Sequence, residues 1–404
     1  QSHSIRTFFS TCILACEAKK LAKGNTILLR NEGRAEPDPQ TCSANHVDLF
    51  IKTQLKAKSE SVLIDGKAGQ TLSCFFDWLL MALGPWARYL AIQVRARLPS
   101  SVFWHNGTNL DQLNDYVKAN WRDRMSTVMD ATFYDYWQGA PGLMMEQLVF
   151  QVFDIPRDLL DLYISTKCDT TVFLGVLTIM RLTGEFFTLD GNTYYNIADF
   201  LVRHPDSTDR LLSGDLHMLV VGDDRTVDDV YVDPGSAFKY AKTSPPWKYD
   251  HAKSASFVSL FVTPLGIFKD PHLMYLRLVW HAVNNSLPDV ITSYYLEHLV
   301  GFDLLNTHIE LLNEVQLEAF DQCCRFFTKY RHLIPTFFLG TVEARSTALY
   351  PVFRDRQLFY QLRNAYARGH QFLLAFLSSL QSSWQKDEIE TVKRLCNLYF
   401  SRRT

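Results

Sequence analysis

The spacing of apolar and polar positions predicts strands clustered mid-chain, with helix-rich blocks on both sides. "HMLVVGDDRTVDDVYV", His217 to Val232, has two apolar runs meeting at a Gly, a pattern for a buried hairpin tipped by Asp223 and Asp224. "RMSTVMDATFYDYWQ" reads as a strand ending in an acidic turn, and "GLMMEQLVFQVFDI" behind it has helical spacing closed by Pro156. A helix is expected from Thr71, followed by strand and turn in "RLPSSVFWHNGTN". Gly184 to Phe200 reads as a helix that places Thr188 and Asn192 four apart on one face. "FKYAKTSPPWKYDHAK" reads as loop. From about Asp270 the chain is mostly helical, with "LEHLVGFDLLNTHIELL" and "LRNAYARGHQFLLAFLSSLQ" as amphipathic stretches.

Composition narrows the class. At 404 residues the chain exceeds the ~250–300 at which single cores split. With 47% hydrophobic and 21% charged residues, disorder is excluded. A net charge of −2 excludes a uniformly basic nucleic-acid binder and leaves room for a local basic channel. The 8 cysteines form no paired CxxC set, and HExxH is missing, so zinc chemistry has no support and reduced thiols are expected. "CFFDWLLMALGPWARYLAIQV" carries Asp77, Pro85 and Arg88, which excludes a comfortable spanning helix. "FFSTCILAC" lacks a signal-peptide layout, and the Gln at position 1 reads as the start of a piece of something longer.

Adjacent carboxylates repel unless solvent, a cation or a partner offsets them. Turn chemistry alone accounts for Gly and Asp at a strand reversal. Four segments nevertheless follow one another in a suggestive order: a lysine-rich stretch ending in "KAGQT", then "DATFYD", "MRLTGEFFTLDGNT" and "VVGDD". Phosphoryl transfer between a sugar hydroxyl and a nucleoside triphosphate commonly uses two divalent ions ~3.5–4 Å apart. Hard Mg²⁺ takes oxygen ligands and keeps waters, so carboxylates from separate strands suffice. Asp130 and Asp223 are the candidate ligands, with Asp224 supporting them. Lys52, Lys56, Lys58 and Lys67 would supply point charges for a triphosphate. Asp135 and Asn192 would pair to hydrogen-bond a ribose 2′-hydroxyl. Taken singly these residues have ordinary readings: a solvated lysine face, helix-capping aspartates and helix-surface polars. Glu146, on an apolar helix face, reads as support for a neighbour, His217 as a strand residue, and Cys323 and Cys324 as core or partly exposed thiols.

The segments "LFIKTQLKAK", "KAGQTL", "DATFYDYWQ", "IPRDLLDLYISTKCDTTVFLGVLTIMRLTGEFFTLDGNTYYNIA", "VVGDD" and "TPLGIFKDPHLMYLRL" together carry a resemblance. From Val47 to at least Leu312 the chain resembles RNA-dependent RNA polymerases of positive-strand viruses in the alphavirus-like group, on the flexivirus and tymovirus side (Tymovirales). The resemblance implies an α+β right-hand polymerase with fingers, an antiparallel-sheet palm and a helical thumb. Its parts would be fingers at 1–124, palm at 125–165, a fingers/palm junction at 166–190, palm with the GDD hairpin at 191–275, and thumb at 276–404. It makes Asp130, Asp223 and Asp224 the catalytic and metal-binding acids for two Mg²⁺ (or Mn²⁺) ions. Asp135 and Asn192 become the ribose-selecting pair, Gly184 and Thr188 guides for template and nucleotide, and the lysines the lining of nucleotide entry.

The partners it implies are RNA template and product, nucleoside triphosphates, other replicase domains for capping and helicase work, and host membranes. The setting it implies is a membrane-associated replication complex in the host cytoplasm. RNA held through phosphates would dissociate steeply with salt. The chain departs from the family pattern at Tyr134, at Trp137 and in "SFVSLFV", and Lys239 and Lys242 are the candidates for a pyrophosphate-protonating lysine. Rival readings are a reverse transcriptase-like palm enzyme and an inactive polymerase-like scaffold.

Overall fold

Residues distant in sequence assemble the principal sheet, because each of its strands is too short to bury a face alone. The computed structural model describes residues 45–51, 71–75 and 77–335. Lys52, Lys56, Lys58 and Lys67, and the amphipathic stretch after residue 360, lie outside the described residues. The described residues fall in two compact units, one formed by 45–51, 71–75, 77–109 and 120–258, the other by 110–119 and 259–335.

In chain order the elements begin with strands β1 (Asp48–Ile51) and β2 (Thr71–Cys74), helix α1 (Asp77–Arg95), β3 (Val102–Trp104) and α2 (Leu110–Asn120). Next come β4 (Ser126–Ala131), α3 (Tyr134–Trp137), α4 (Ala140–Val152), α5 (Arg157–Cys168) and the small hairpin β5 (Thr171–Val172) and β6 (Gly175–Val176). Helices α6 (Thr188–Arg203) and α7 (Ser207–Ser213) precede β7 (Met218–Val221), β8 (Asp224–Val227), β9 (Trp247–Ala252) and β10 (Ala255–Phe257). The last strands are β11 (Leu260–Thr263) and β12 (Gly266–Lys269), before helices α8 (Pro271–Val283), α9 (Leu287–Thr307) and α10 (Glu314–Lys329).

In the first unit, five strands form a sheet in the order β3-β7-β8-β4-β9. β3 runs parallel to β7, and the other neighbours are antiparallel. One face of this sheet buries Met129, Met218, Val220, Val227 and Trp247 with Phe200 of α6. A second core joins Leu79, Leu83 and Leu90 of α1 to Phe150, Tyr163, Phe187 and Tyr194. Each such side chain contributes about 1.5–3 kcal/mol when fully buried. At the base of the β7–β8 hairpin, buried Asp228 accepts from the His217 backbone N–H (2.7 Å) and pairs with His217 Nδ1 (3.0 Å) and Arg124 (3.1 Å).

Four expectations are corrected. Thr71–Cys74 is a strand, since it pairs with β1, and the helix starts only at Asp77. The expected acidic turn after β4 is the one-turn helix α3, which carries Asp135. The helix expected from Gly184 begins at Thr188, because residues 181–187 are held in irregular backbone described below. "WKYDHA", read as loop, is edge strand β9 paired along the whole of β4; its alternation of aromatic and charged residues was masked by the Pro and Ser before it.

The second unit pairs β11 with β12, and the β12 backbone N–H of Ile267 donates to Asn114 Oδ1 of α2 (3.0 Å). Asp270 caps α8 ahead of Pro271, and Asn313 with Gln316 forms a capping box on α10, so both helices start where their sequences dictate. Between α9 and α10, His298 is buried against Phe302, Phe320 and Phe327, with Cys324 Sγ 3.6 Å from its Nε2. Burial lowers the His298 pKa to about 4. The unfolded chain takes up a proton near pH 6.5, whereas the folded chain refuses it until about pH 4. Stability is therefore full above pH 6.5 and falls as pH drops from there to 4, by at most on the order of 3 kcal/mol. Thermal unfolding between pH 7 and 4.5 checks this. His298→Phe should flatten the dependence, and an unchanged slope would remove His298 as its source.

Candidate active site

Strand register brings the predicted acids to one end of the sheet. The last β4–β8 pair is Met129↔Arg225, so Asp130 stands one step further along, level with Asp224. Directly opposed antiparallel residues have Cα atoms roughly 4.5–5.5 Å apart. β7 and β8 are joined through the pair Val221↔Asp224, which leaves Gly222 and Asp223 as a two-residue turn. Gly222 has φ 59°, a left-handed conformation at the first turn position that favours glycine. Asp130, Asp223 and Asp224 are all exposed. On the other side of β4 the pair Asp130↔Lys248 sets an exposed lysine against the first acid. Lys248 was not singled out from the sequence, because the strand carrying it was missed. Lys239 and Lys242 are exposed in the loop before β9.

Side chains alternate along a strand, so Met129 and Arg225, next to Asp130 and Asp224, point to the opposite, buried face. There Arg225 lies with its guanidinium 4.8 Å from the Phe200 ring and 4.2 Å from the Trp247 ring. Its Nη1 donates to the Asn196 carbonyl (2.7 Å). Burial lowers the Arg225 pKa to about 10, against the pull of Asp199. The turn itself is held by α6. Gly222 N–H donates to Thr193 Oγ1 (2.8 Å), and Asn196 Nδ2 donates to the Gly222 carbonyl (3.0 Å).

The ribose-selecting pair expected from the sequence is in contact. Asn192 Nδ2 donates to Asp135 Oδ1 (2.9 Å), and Thr183 Oγ1 donates to Asp135 Oδ2 (3.0 Å). Asn192 Oδ1 accepts from Gln138 Nε2 (2.6 Å) and Arg181 Nε (3.2 Å), which fixes the side-chain amide. Asn192 is buried, while Asp135 is half-buried. Residues 181–187 are pinned at both ends. Arg181 N–H donates to the Asp135 carbonyl (2.9 Å), and the Thr188 hydroxyl proton is shared between the carbonyls of Leu182 (2.8 Å) and Glu185 (2.9 Å). Gly184 has φ 113° and lies against β2, where an added Cβ would be 2.2 Å from the Ser73 carbonyl oxygen. Only glycine fits there.

Behind this pair lies a buried ionic network that sequence reasoning largely missed. Arg181, 2% exposed, bridges Glu146 and Glu185, and Lys167 pairs with Glu185 at 2.9 Å. Tyr163 OH donates to Glu146 Oε2 (2.6 Å). Burial alone would push the Glu185 carboxyl up, but Lys167 and Arg181 outweigh it and hold it below its usual range. Glu146 thus supports a neighbour, as the sequence suggested. Arg181 and Glu185 give a weaker signal, two opposite charges four apart in "RLTGE" amid apolar residues.

Among the described residues, no group of three or more His, Cys, Asp and Glu gathers into a metal cage. The donors at the sheet end are hard carboxylate oxygens in the open. That suits a Mg²⁺-like ion, which keeps waters and takes one or two carboxylates together with substrate phosphates.

Comparison with known proteins gives the class. A sequence model described as RNA dependent RNA polymerase matches residues 29–230, half of the chain. The chain belongs to this family, as its resemblance implied. It is 31% identical over 320 residues to the RNA replication polyprotein of Citrus leaf blotch virus, covering 79% of this chain and 16% of that protein. It is 31% identical over 328 residues to the RNA-directed RNA polymerase of Apple chlorotic leaf spot virus, covering 80% and 17%. It is also 28% identical over 335 residues to the non-structural replication polyprotein of Turnip yellow mosaic virus, covering 81% and 18%. The chain thus spans less than a fifth of the length of these relatives.

Proposed function

We propose that this chain is an RNA-directed RNA polymerase domain that copies viral positive-strand RNA from ribonucleoside triphosphates. The observation that carries the reading is the register that sets Asp130 level with Asp224 beside the Gly222–Asp223 turn. The hydrogen-bonded Asp135–Asn192 pair lies on the elements adjoining it. The growing RNA's 3′-hydroxyl attacks the α-phosphate of the incoming nucleotide and pyrophosphate leaves, a reaction driven mainly by positioning and charge. A bound pair of divalent ions would lower the hydroxyl pKa and offset charge on the departing pyrophosphate. Asp130 and Asp223, with Asp224 beside them, would hold those ions. Asp135 and Asn192 would present an acceptor and an amide to the 2′-hydroxyl, with Gly184 and Thr188 shaping the loop next to them.

On this reading β4, β7, β8 and β9 form the palm within 125–165 and 191–275, the fingers at 1–124 add β3 to the same sheet, and the thumb is 276–404. The lysines at 52, 56, 58 and 67 would line nucleotide entry. Partners would be RNA, nucleoside triphosphates and other domains of a replicase, working at host membranes in the cytoplasm. No described helix is long and apolar enough to cross a membrane.

Ribose preference provides the test. On an RNA template the full chain with Mg²⁺ should incorporate ribonucleotides far better than deoxynucleotides. Asn192→Ala should narrow that preference by about 10- to 100-fold, the factor expected for losing a hydrogen bond to a charged pair. Equal use of both sugars by the unaltered protein would favour the reverse transcriptase-like reading, and no incorporation at all would favour a scaffold.

A further inference from the structure

Two buried side chains of α6 reach the acidic turn without belonging to the acids or to the ribose pair. Thr193 and Asn196 are both 0% exposed. Thr193 Oγ1 accepts from Gly222 N–H and donates to the Leu189 carbonyl (2.8 Å), so its single hydroxyl is used in both directions. Asn196 donates through its side chain to the Gly222 carbonyl, and its own carbonyl accepts from Arg225. The residue before the Asp223–Asp224 pair and the residue after it are therefore tied to the same helix. That helix also carries Asn192, the neighbour of Thr193 in sequence.

We infer that Thr193 and Asn196 are positioning residues: they fix the backbone on which the acids sit, and so set how well those acids grip divalent cations. The inference rests on the polymerase reading. A turn whose N–H and C=O are both taken by buried side chains cannot drift without leaving polar groups unpaired, which is costly. Valine at 193 keeps the shape and removes both hydrogen bonds, whereas serine keeps both. Asn192, one turn before Asn196 on α6, bonds instead to Asp135, Gln138 and Arg181, so cation binding and sugar choice should separate by partner.

The experiment compares the full chain with Thr193→Val, Thr193→Ser and Asn196→Ala. Mn²⁺ binding is read by water-proton relaxation, alongside the Mg²⁺ dependence of RNA synthesis, the ribo/deoxy preference and thermal unfolding. Thr193→Val should weaken Mn²⁺ binding and raise the Mg²⁺ needed for half-maximal synthesis by about tenfold, the factor that accompanies loss of the one hydrogen bond that reaches the turn. Its sugar preference should stay unchanged, Thr193→Ser should match the unaltered protein, and Asn196→Ala should act in the same direction as Thr193→Val. Folded Thr193→Val and Asn196→Ala proteins that bind Mn²⁺ normally would overturn the inference. So would loss of sugar preference together with cation binding. If Thr193→Val fails to fold, Asn196→Ala decides. Failure of the unaltered chain to make RNA would count against the polymerase reading alone, because Mn²⁺ binding is read without synthesis.

Discussion

Asp223→Ala is expected to leave the fold intact and reduce RNA synthesis by at least about a thousandfold, the scale on which phosphoryl transfer responds to losing one organised charge. Asp223 is exposed in a turn tied to α6 through the Gly222 backbone, and those ties stay in place when the Asp223 side chain is changed. Its replacement should therefore shift stability by no more than about 1 kcal/mol. The measurement pairs single-nucleotide extension on an RNA template with a thermal melt. A folded variant retaining a tenth of the starting rate would take Asp223 out of the chemistry.

The second large effect concerns stability. Arg181→Ala leaves Glu146 and Glu185 buried with one fewer positive charge between them. Breaking a buried pair from one side costs about 3–5 kcal/mol. For a unit of this size that corresponds to a fall in Tm of roughly 6–20 °C. The same change removes a donor to Asn192 Oδ1, so ribose preference should weaken in whatever fraction stays folded. Combining Glu146→Gln with Arg181→Met removes charge from both sides and should cost less than the sum of the single changes. Additive losses would show that the two side chains do not act as a pair.

The parts legible in the sequence were those with a local signature. Two apolar runs meeting at a Gly marked the β7–β8 hairpin, a strand ending in acids marked β4, and the residues quoted around Asp130, Asp135, Asn192 and Gly222 were enough for the family. What stayed hidden depends on partners far along the chain. Thr71–Cys74 is a strand only because Asp48–Ile51 lies beside it. Trp247–Ala252 follows two prolines, and its role appears only once β4 offers an open edge. Arg181 reads as a surface arginine until Glu146, 35 positions away, is seen to meet it. Thr193 looks like one more polar residue on a helix, since nothing near it in sequence announces that Gly222 will need an acceptor. Start signals misled where tertiary contacts overrode them, as at Gly184, which the chain uses for close approach to β2.

The β7–β8 hairpin behaves like a stayed mast. It is stepped at its foot by Asp228 with His217 and Arg124, and guyed near its head by two side chains of α6. Hydrogen bonds restrain the main chain at both levels, which on the proposed reading would leave torsion of the aspartate side chains as the main adjustment to an arriving charge. Small torsions cost little to reorganise, and that economy would suit the proposed polymerase centre, which would reset after every nucleotide.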